Sequence, residues 1–159
     1  MSKKIVLVWS DDQYSEILLN DLLKQNETNG CYIQILYFLH DTGKSSIAKI
    51  NSQSRNGDYN GDYMVVESVC CELNYPANNF TKLAIAVNIA DEWCCNQVEF
   101  AIHKENCYGT PQDRMLFLKS LNHAASFGTK NNVCIYTPYL DLTPTEIYEK
   151  LEIGKNEKN

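Results

Sequence analysis

The chain has 159 residues, with 20 acidic against 14 basic side chains, a net charge of −6 and a pI near 5.0. That length suits one domain, expected over residues 1–152 with a frayed tail at 153–159. At 44% hydrophobic and 21% charged residues wholesale disorder is excluded, and the acidic balance argues against nucleic acid and anionic membranes as partners.

No apolar run approaches the roughly 18 residues of a membrane span. The apolar stretch at residues 5–9 is too short for a signal peptide, so a cytoplasmic location is expected. Seven cysteines, an odd number with no Cys-x-x-Cys pair, read as reduced and mostly buried thiols. The Asn-, Lys-, Ile- and Tyr-rich composition is of the kind AT-rich genomes, such as those of many phages, produce.

Residues 3–9 form a short apolar, β-branched run, which predicts a strand buried on both faces. Helical spacing of Ile17, Leu18, Leu19, Leu22 and Leu23 predicts a helix over 11–25, ended by Asn29-Gly30. Residues 32–39 are a second strand and 43–54 a polar helix. Residues 55–62 (RNGDYNGD) are rich in Asn, Asp and Gly and predict a loop. A third strand lies around 64–69, a long helix over 79–95, and a fourth strand over 97–102.

Residues 104–112 form a polar loop, 113–126 a helix closed by Gly128, and 133–136 a fifth strand. The last helix, 143–151, opens with Thr143, Pro144 and Glu146, which together make a capping box. Five β-α repeats predict an α/β fold, three layers deep (α/β/α), around a five-stranded parallel sheet. Ligands of such sheets bind beyond the carboxyl ends of the strands.

Several short motifs fall at those ends. Gly43-Lys44-Ser45 ends like a phosphate-binding P-loop, but Phe38 stands where the pattern needs its first glycine, so a helix start is the expectation. Ser10-Asp11-Asp12-Gln13-Tyr14-Ser15 joins the first strand to the first helix. Its serines suit a phosphate at a helix N-terminus, whereas its carboxylates repel one, and simple capping by Ser10, Asp11 or Asp12 is the favoured reading. His40, His103 and His123 are expected to be structural or solvated rather than metal ligands. Arg114, near a helix start, calls for an acidic neighbour or an anionic ligand.

On these residues the chain resembles the 7-cyano-7-deazaguanine synthases, ATP-consuming enzymes of the queuosine pathway in the PP-loop ATP pyrophosphatase superfamily. Cys107-Tyr108-Gly109-Thr110-Pro111-Gln112-Asp113-Arg114 stands where the family has Ser-Gly-Tyr-Pro-Asp-Cys-Arg, and Gly109, Pro111 and Arg114 are retained. Leu121-Asn122-His123-Ala124-Ala125-Ser126-Phe127-Gly128-Thr129 and Thr137-Pro138-Tyr139-Leu140-Asp141-Leu142-Thr143 resemble the following helix and the last strand-helix turn. More loosely, His40-Asp41-Thr42-Gly43-Lys44 resembles Phe-Asp-Tyr-Gly-Gln, and Pro76-Ala77-Asn78-Asn79 resembles Pro-Gly-Arg-Asn. The resemblance implies a PP-loop ATPase (adenine nucleotide alpha hydrolase-like) fold.

The departures concern phosphate chemistry. The family's PP-loop reads Ser-Gly-Gly-x-Asp-Ser. Here Ser10 and Ser15 stay, Asp11 and Asp12 replace both glycines, and Tyr14 replaces the aspartate. Glycines let backbone N–H groups close around pyrophosphate, and two carboxylates there add repulsion. The family's C-terminal four-cysteine zinc cluster has no counterpart in the cysteine spacing.

The resemblance with these losses implies a degenerate, non-catalytic member that keeps a ligand cleft, with no catalytic residue and no certain cofactor. Ser10, Asp11, Asp12, Ser15, Asp41, Asn79, Tyr108, Gly109 and Arg114 would bind a nucleobase or nucleotide-type molecule. Tyr108 would stack on the base, and Arg114 would meet a carboxylate or phosphate. With a viral origin, counter-defence is the expected use. Two alternatives stay open. One is an active ATP- and Mg²⁺-dependent enzyme of 7-deazaguanine synthesis. The other is an interaction subunit without a small ligand, using Trp93, Cys94-Cys95 and exposed tyrosines against a second copy or a host protein.

Overall fold

The computed structural model describes residues 3–10, 12–26, 29–39, 42–53, 55–59, 62–73, 78–107 and 111–156; at 55–59, 62–64, 107, 111–114 and 151–156 it describes the backbone alone. The strands are β1 (Lys3–Val8), β2 (Cys31–Phe38), β3 (Arg55–Tyr59), β4 (Asp62–Cys71), β5 (Gln97–Phe100) and β6 (Cys134–Tyr136). The helices are α1 (Gln13–Gln25), α2 (Lys44–Gln53), α3 (Asn79–Glu92), α4 (Pro111–Gly128) and α5 (Pro144–Asn156), with a 3-10 turn at Lys104–Cys107.

The sheet order is β3-β4-β2-β1-β5-β6. Five strands are parallel, as the β-α repeats predict, and β3 adds an antiparallel edge beside β4. That edge corrects the reading of 55–62 as a loop. The register Tyr59↔Asp62 leaves two residues between the strands. In the sequence they are Asn60-Gly61, the dipeptide most favoured for a two-residue hairpin. The Asn, Asp and Gly residues of 55–61 conceal the strand in the sequence.

Alternation along the central strands builds two cores. Ile5 and Leu7 of β1, with Ile33 and Ile35 of β2, face α1, α2 and α5 through Leu18, Leu19, Ile50 and Ile147. Val6 and Val8, with Leu36 and Phe38, face α3 and α4 through Leu83, Ala86, Leu118 and Ala125. Each fully buried side chain such as Leu19 contributes about 1.5–3 kcal/mol relative to exposure.

Helix ends differ from the expected ones for local reasons. Asn26, not Asn29-Gly30, caps α1, its side-chain amide donating to the Leu22 carbonyl at 2.7 Å. Gly30, at φ 65, instead turns the chain into β2. α3 stops at Glu92 because Cys94 takes φ 53, with Cys95 N–H bonded to the Ala90 carbonyl and Cys94 N–H to that of Asp91. This is a Schellman close with cysteine in the position glycine usually fills. α5 runs past residue 151, through Asn156, behind its capping box: Thr143 N–H and hydroxyl both donate to Glu146 Oε2, at 2.7 and 2.9 Å.

β1 is central, β2 and β4 lie to one side and β5 and β6 to the other. The strand order therefore reverses between β1 and β5, which places the expected ligand edge at their carboxyl ends.

Candidate functional site

The β1–α1 turn is the part of this edge where local sequence and fold meet most directly. Trp9 N–H bonds the Leu36 carbonyl at 2.8 Å and ties the turn to β2. Ser15 is fully buried, and its hydroxyl oxygen accepts from Ser10 N–H at 2.9 Å. Asp12 is the N-cap of α1. Its Oδ1 accepts from Tyr14 N–H at 3.0 Å and Ser15 N–H at 3.3 Å. Of the three capping candidates, Asp12 makes the cap.

A phosphate at a helix N-terminus binds through these same backbone N–H groups. Here a carboxylate of the chain already takes two of them. The Asp12 carboxylate therefore stands where a phosphate at this helix start would bind.

Of the remaining expected ligand residues, the structure describes Asn79 and the backbone of Arg114. Asn79 is the first residue of α3 and exposed, while its neighbour Asn78 caps that helix by accepting from Thr81 N–H at 2.9 Å. α3 packs on the face of the sheet opposite α1. Arg114 lies in the first turn of α4, its side chain outside the described residues. Asp11, Asp41, Tyr108, Gly109 and His40 also lie outside them.

Three residues that sequence reasoning did not place in the site stand at this edge. Trp9 is 2% exposed, and its indole Nε1 has no hydrogen-bond partner. It lines a cleft of about 310 Å³ between the starts of α1 and α2. His103, at the end of β5, is 8% exposed with Nδ1 likewise unpartnered, and its ring meets Tyr14 edge-on at 4.6 Å. Burial raises the Tyr14 pKa, as do its hydrogen bond to Tyr148 and the nearby charges of Asp12 and Glu105. Among the described residues, Trp9 Nε1 and His103 Nδ1 are the buried side-chain polar atoms without a partner, and both belong to the α1 side of the sheet.

A second cleft, of about 350 Å³, opens on the same face between α1 and β6. It contains Glu99, 5% exposed, whose Oε1 accepts from Gln97 Nε2 at 2.5 Å. Burial pushes this carboxyl up to about 7, against the opposing effects of Gln97 and Lys3. Beside it Tyr139 donates to Asp21 at 2.5 Å. The signal for Glu99 was one acid inside the apolar run at 98–102.

Among the described residues no group of three or more His, Cys, Asp or Glu is arranged to hold a metal ion. Among the described residues no helix is long and apolar enough to cross a membrane. The expected interaction surface at Trp93-Cys94-Cys95 is corrected in part. Cys95 is buried, its thiol bonded to the carbonyls of Lys4 and Gln97, while Trp93 is half-buried and Cys94 exposed. The large exposed apolar residues include Phe80, Leu116, Phe117 and Phe127 of α3 and α4.

A family model described as "Queuosine biosynthesis protein QueC" matches residues 22–156. The chain belongs to the QueC family. The QueC match starts inside α1, so the β1–α1 turn with Asp12 lies outside it. A curated relative, the 7-cyano-7-deazaguanine synthase of Methanococcus vannielii, is 26% identical over 110 residues, covering 69% of this chain and 47% of the relative. The chain thus spans about half the length of that relative. Among solved structures, it is similar to the U34-tRNA thiolase NcsA of Methanococcus maripaludis, a protein with a [4Fe-4S] cluster. The TM-score is 0.57 at 11% identity, over 96% of this chain and 56% of the other. That likeness shows the fold, the PP-loop ATPase type expected from the sequence.

Proposed function

We propose that this QueC-family chain is catalytically degenerate and binds a nucleobase or nucleotide-type ligand at the carboxyl edge of its sheet. The observation that carries the reading is the Asp12 carboxylate on the α1 N–H groups. A fixed negative charge there both fills the anion position and repels a triphosphate. Arg114 and Tyr108, retained in the resemblance, would supply a cation and a stacking ring to the ligand. With a phage origin, sequestration of a host nucleotide-type signal is the use this reading favours.

Thermal shift with ATP-Mg²⁺, mono- and cyclic nucleotides and 7-carboxy-7-deazaguanine tests the proposal. A ligand at a hundred times its Kd stabilises the fold by about 2.7 kcal/mol. A shift with a base or nucleotide other than ATP-Mg²⁺, lost in Arg114→Ala, supports it. No shift with any member moves the reading to the interaction subunit, for which the exposed α3–α4 aromatics speak.

Family membership favours a second reading, an active ATP-dependent enzyme of 7-deazaguanine synthesis. Magnesium would then engage Asp11 or Asp12 and turn their charge from repulsion to ligation. Release of AMP and pyrophosphate from ATP would decide for it.

A further inference from the structure

The outer face of α4 is not composed like a helix face made for water. Over residues 115–128 the sequence holds one Asp, Glu, Lys or Arg, namely Lys119. Leu116 is 60% exposed and Phe127 79%. Ser120 and His123 lie between them, also exposed, and the four follow one another at intervals of four, three and four residues. That is the spacing of a coiled-coil seam, which turns one helix face toward a partner helix. Phe117 flanks the seam and meets the exposed Phe80 of α3 edge-on at 5.8 Å, which extends the apolar surface toward α3. At the centre the side chains are small, and a shallow groove of about 480 Å³ runs past Ser120, His123 and Ala124.

We propose that α4 is the contact between two copies of this chain, paired antiparallel about a twofold axis between Leu121 and Asn122. A twofold contact uses one patch on both copies, so the patch must complement itself. This seam does. The axis sets Leu116 against the partner's Phe127 and Ser120 against the partner's His123. Large apolar groups then meet at both ends, and at the centre a hydroxyl meets an imidazole with which it can share a hydrogen bond. On the α3 side of the seam the Phe117 ring comes over the small Ala124 of the partner subunit. On the other side Lys119 lies at the rim, where its ammonium reaches water. Charge selects the same face. The chain carries −6, so its acidic surface repels a second copy, whereas residues 115–128 contain no acid. A one-helix seam is at the small end of specific interfaces, so the dimer is a concentration-dependent one. It is independent of the ligand reading, and neither requires the other.

Analytical ultracentrifugation of the whole chain, from low micromolar to several hundred micromolar, tests this. A reductant is present because Cys70 and Cys94 are exposed thiols. Wild type should show a monomer–dimer equilibrium. Leu116→Lys and Phe127→Glu change exposed side chains, so each should keep the wild-type circular dichroism and Tm. Each sets a charge against an apolar group in both end layers and should weaken the dimer at least tenfold. Mixed in equal amounts, the two variants can pair with Lys opposite Glu in one layer and the wild-type Leu–Phe contact in the other. Association should therefore return in the mixture, a rescue that only the antiparallel register gives. A wild type that stays monomeric throughout overturns the proposal. So does a dimer that both variants leave unchanged, or a mixture that associates no better than either variant alone. Should either variant fail to fold, Ser120→Arg, which brings like charges together beside the axis, replaces it. Loss of the dimer then supports the proposal and an unchanged dimer overturns it.

Discussion

Asp12 Oδ1 stands 3.0 Å from the backbone nitrogen of Tyr14, two residues on, and occupies the place an anion would take at the start of α1. Asp12→Ala removes the cap and should lower stability by about 1 kcal/mol, or roughly 2–4 °C in Tm. Asp12→Asn keeps an acceptor oxygen and should lose less. Asp12→Gly frees the N–H groups without a charge and should gain affinity for inorganic phosphate, measured by calorimetry. Equal phosphate affinity in wild type and Asp12→Gly would show that the carboxylate blocks nothing.

Glu99 gives the chain a pH dependence of definite sign. Its folded pKa of about 7 lies above the usual carboxylate value. The unfolded chain thus releases this proton first as pH rises, and stability falls between about pH 4.5 and 7 and then levels. Glu99→Gln keeps the acceptor for Gln97 and removes the charge. It should stabilise the fold at pH 8, by on the order of 2–3 kcal/mol, and make little difference at pH 4.5. Denaturant unfolding at the two pH values checks this; an equal effect at both would contradict it.

The Thr143–Glu146 box works the other way. Hydrogen bonds from the Thr143 backbone and hydroxyl hold Glu146 below its usual pKa. Its contribution is present above the ordinary carboxylate pKa and is lost as pH falls through the lowered one. Thr143→Ala should cost about 1 kcal/mol at pH 7 and less at pH 3, read as the difference in Tm from wild type.

Cys94→Gly tests the end of α3. A side chain at φ 53 carries a steric cost of roughly 1–2 kcal/mol that glycine does not. The variant should melt about 2–4 °C higher per kcal/mol recovered. A lower Tm would mean that the exposed Cys94 side chain makes contacts that outweigh its backbone cost.

Much of this fold could be read from residue patterns. Apolar runs at 3–9 and 32–39 announced central strands because both faces of a parallel sheet are covered. Thr143, Pro144 and Glu146 announced α5 because capping is local chemistry. β3 is hidden in the sequence because its residues carry turn chemistry. In the site, the charge and missing glycines of residues 10–15 were legible, but which acid caps α1 was a matter of geometry. Trp9 looked like an ordinary apolar strand residue. Its burial, with an indole N–H that has no acceptor, is visible only in the fold.

Pyrophosphate release shows whether this QueC-family chain has lost ATP chemistry, as we propose. The purified full chain would be incubated with ATP-Mg²⁺, ammonium and 7-carboxy-7-deazaguanine, and AMP and pyrophosphate quantified over hours. No release above the no-protein control is expected. Stoichiometric AMP and pyrophosphate, with more than one turnover per chain, would contradict it and make Asp12 part of a working site.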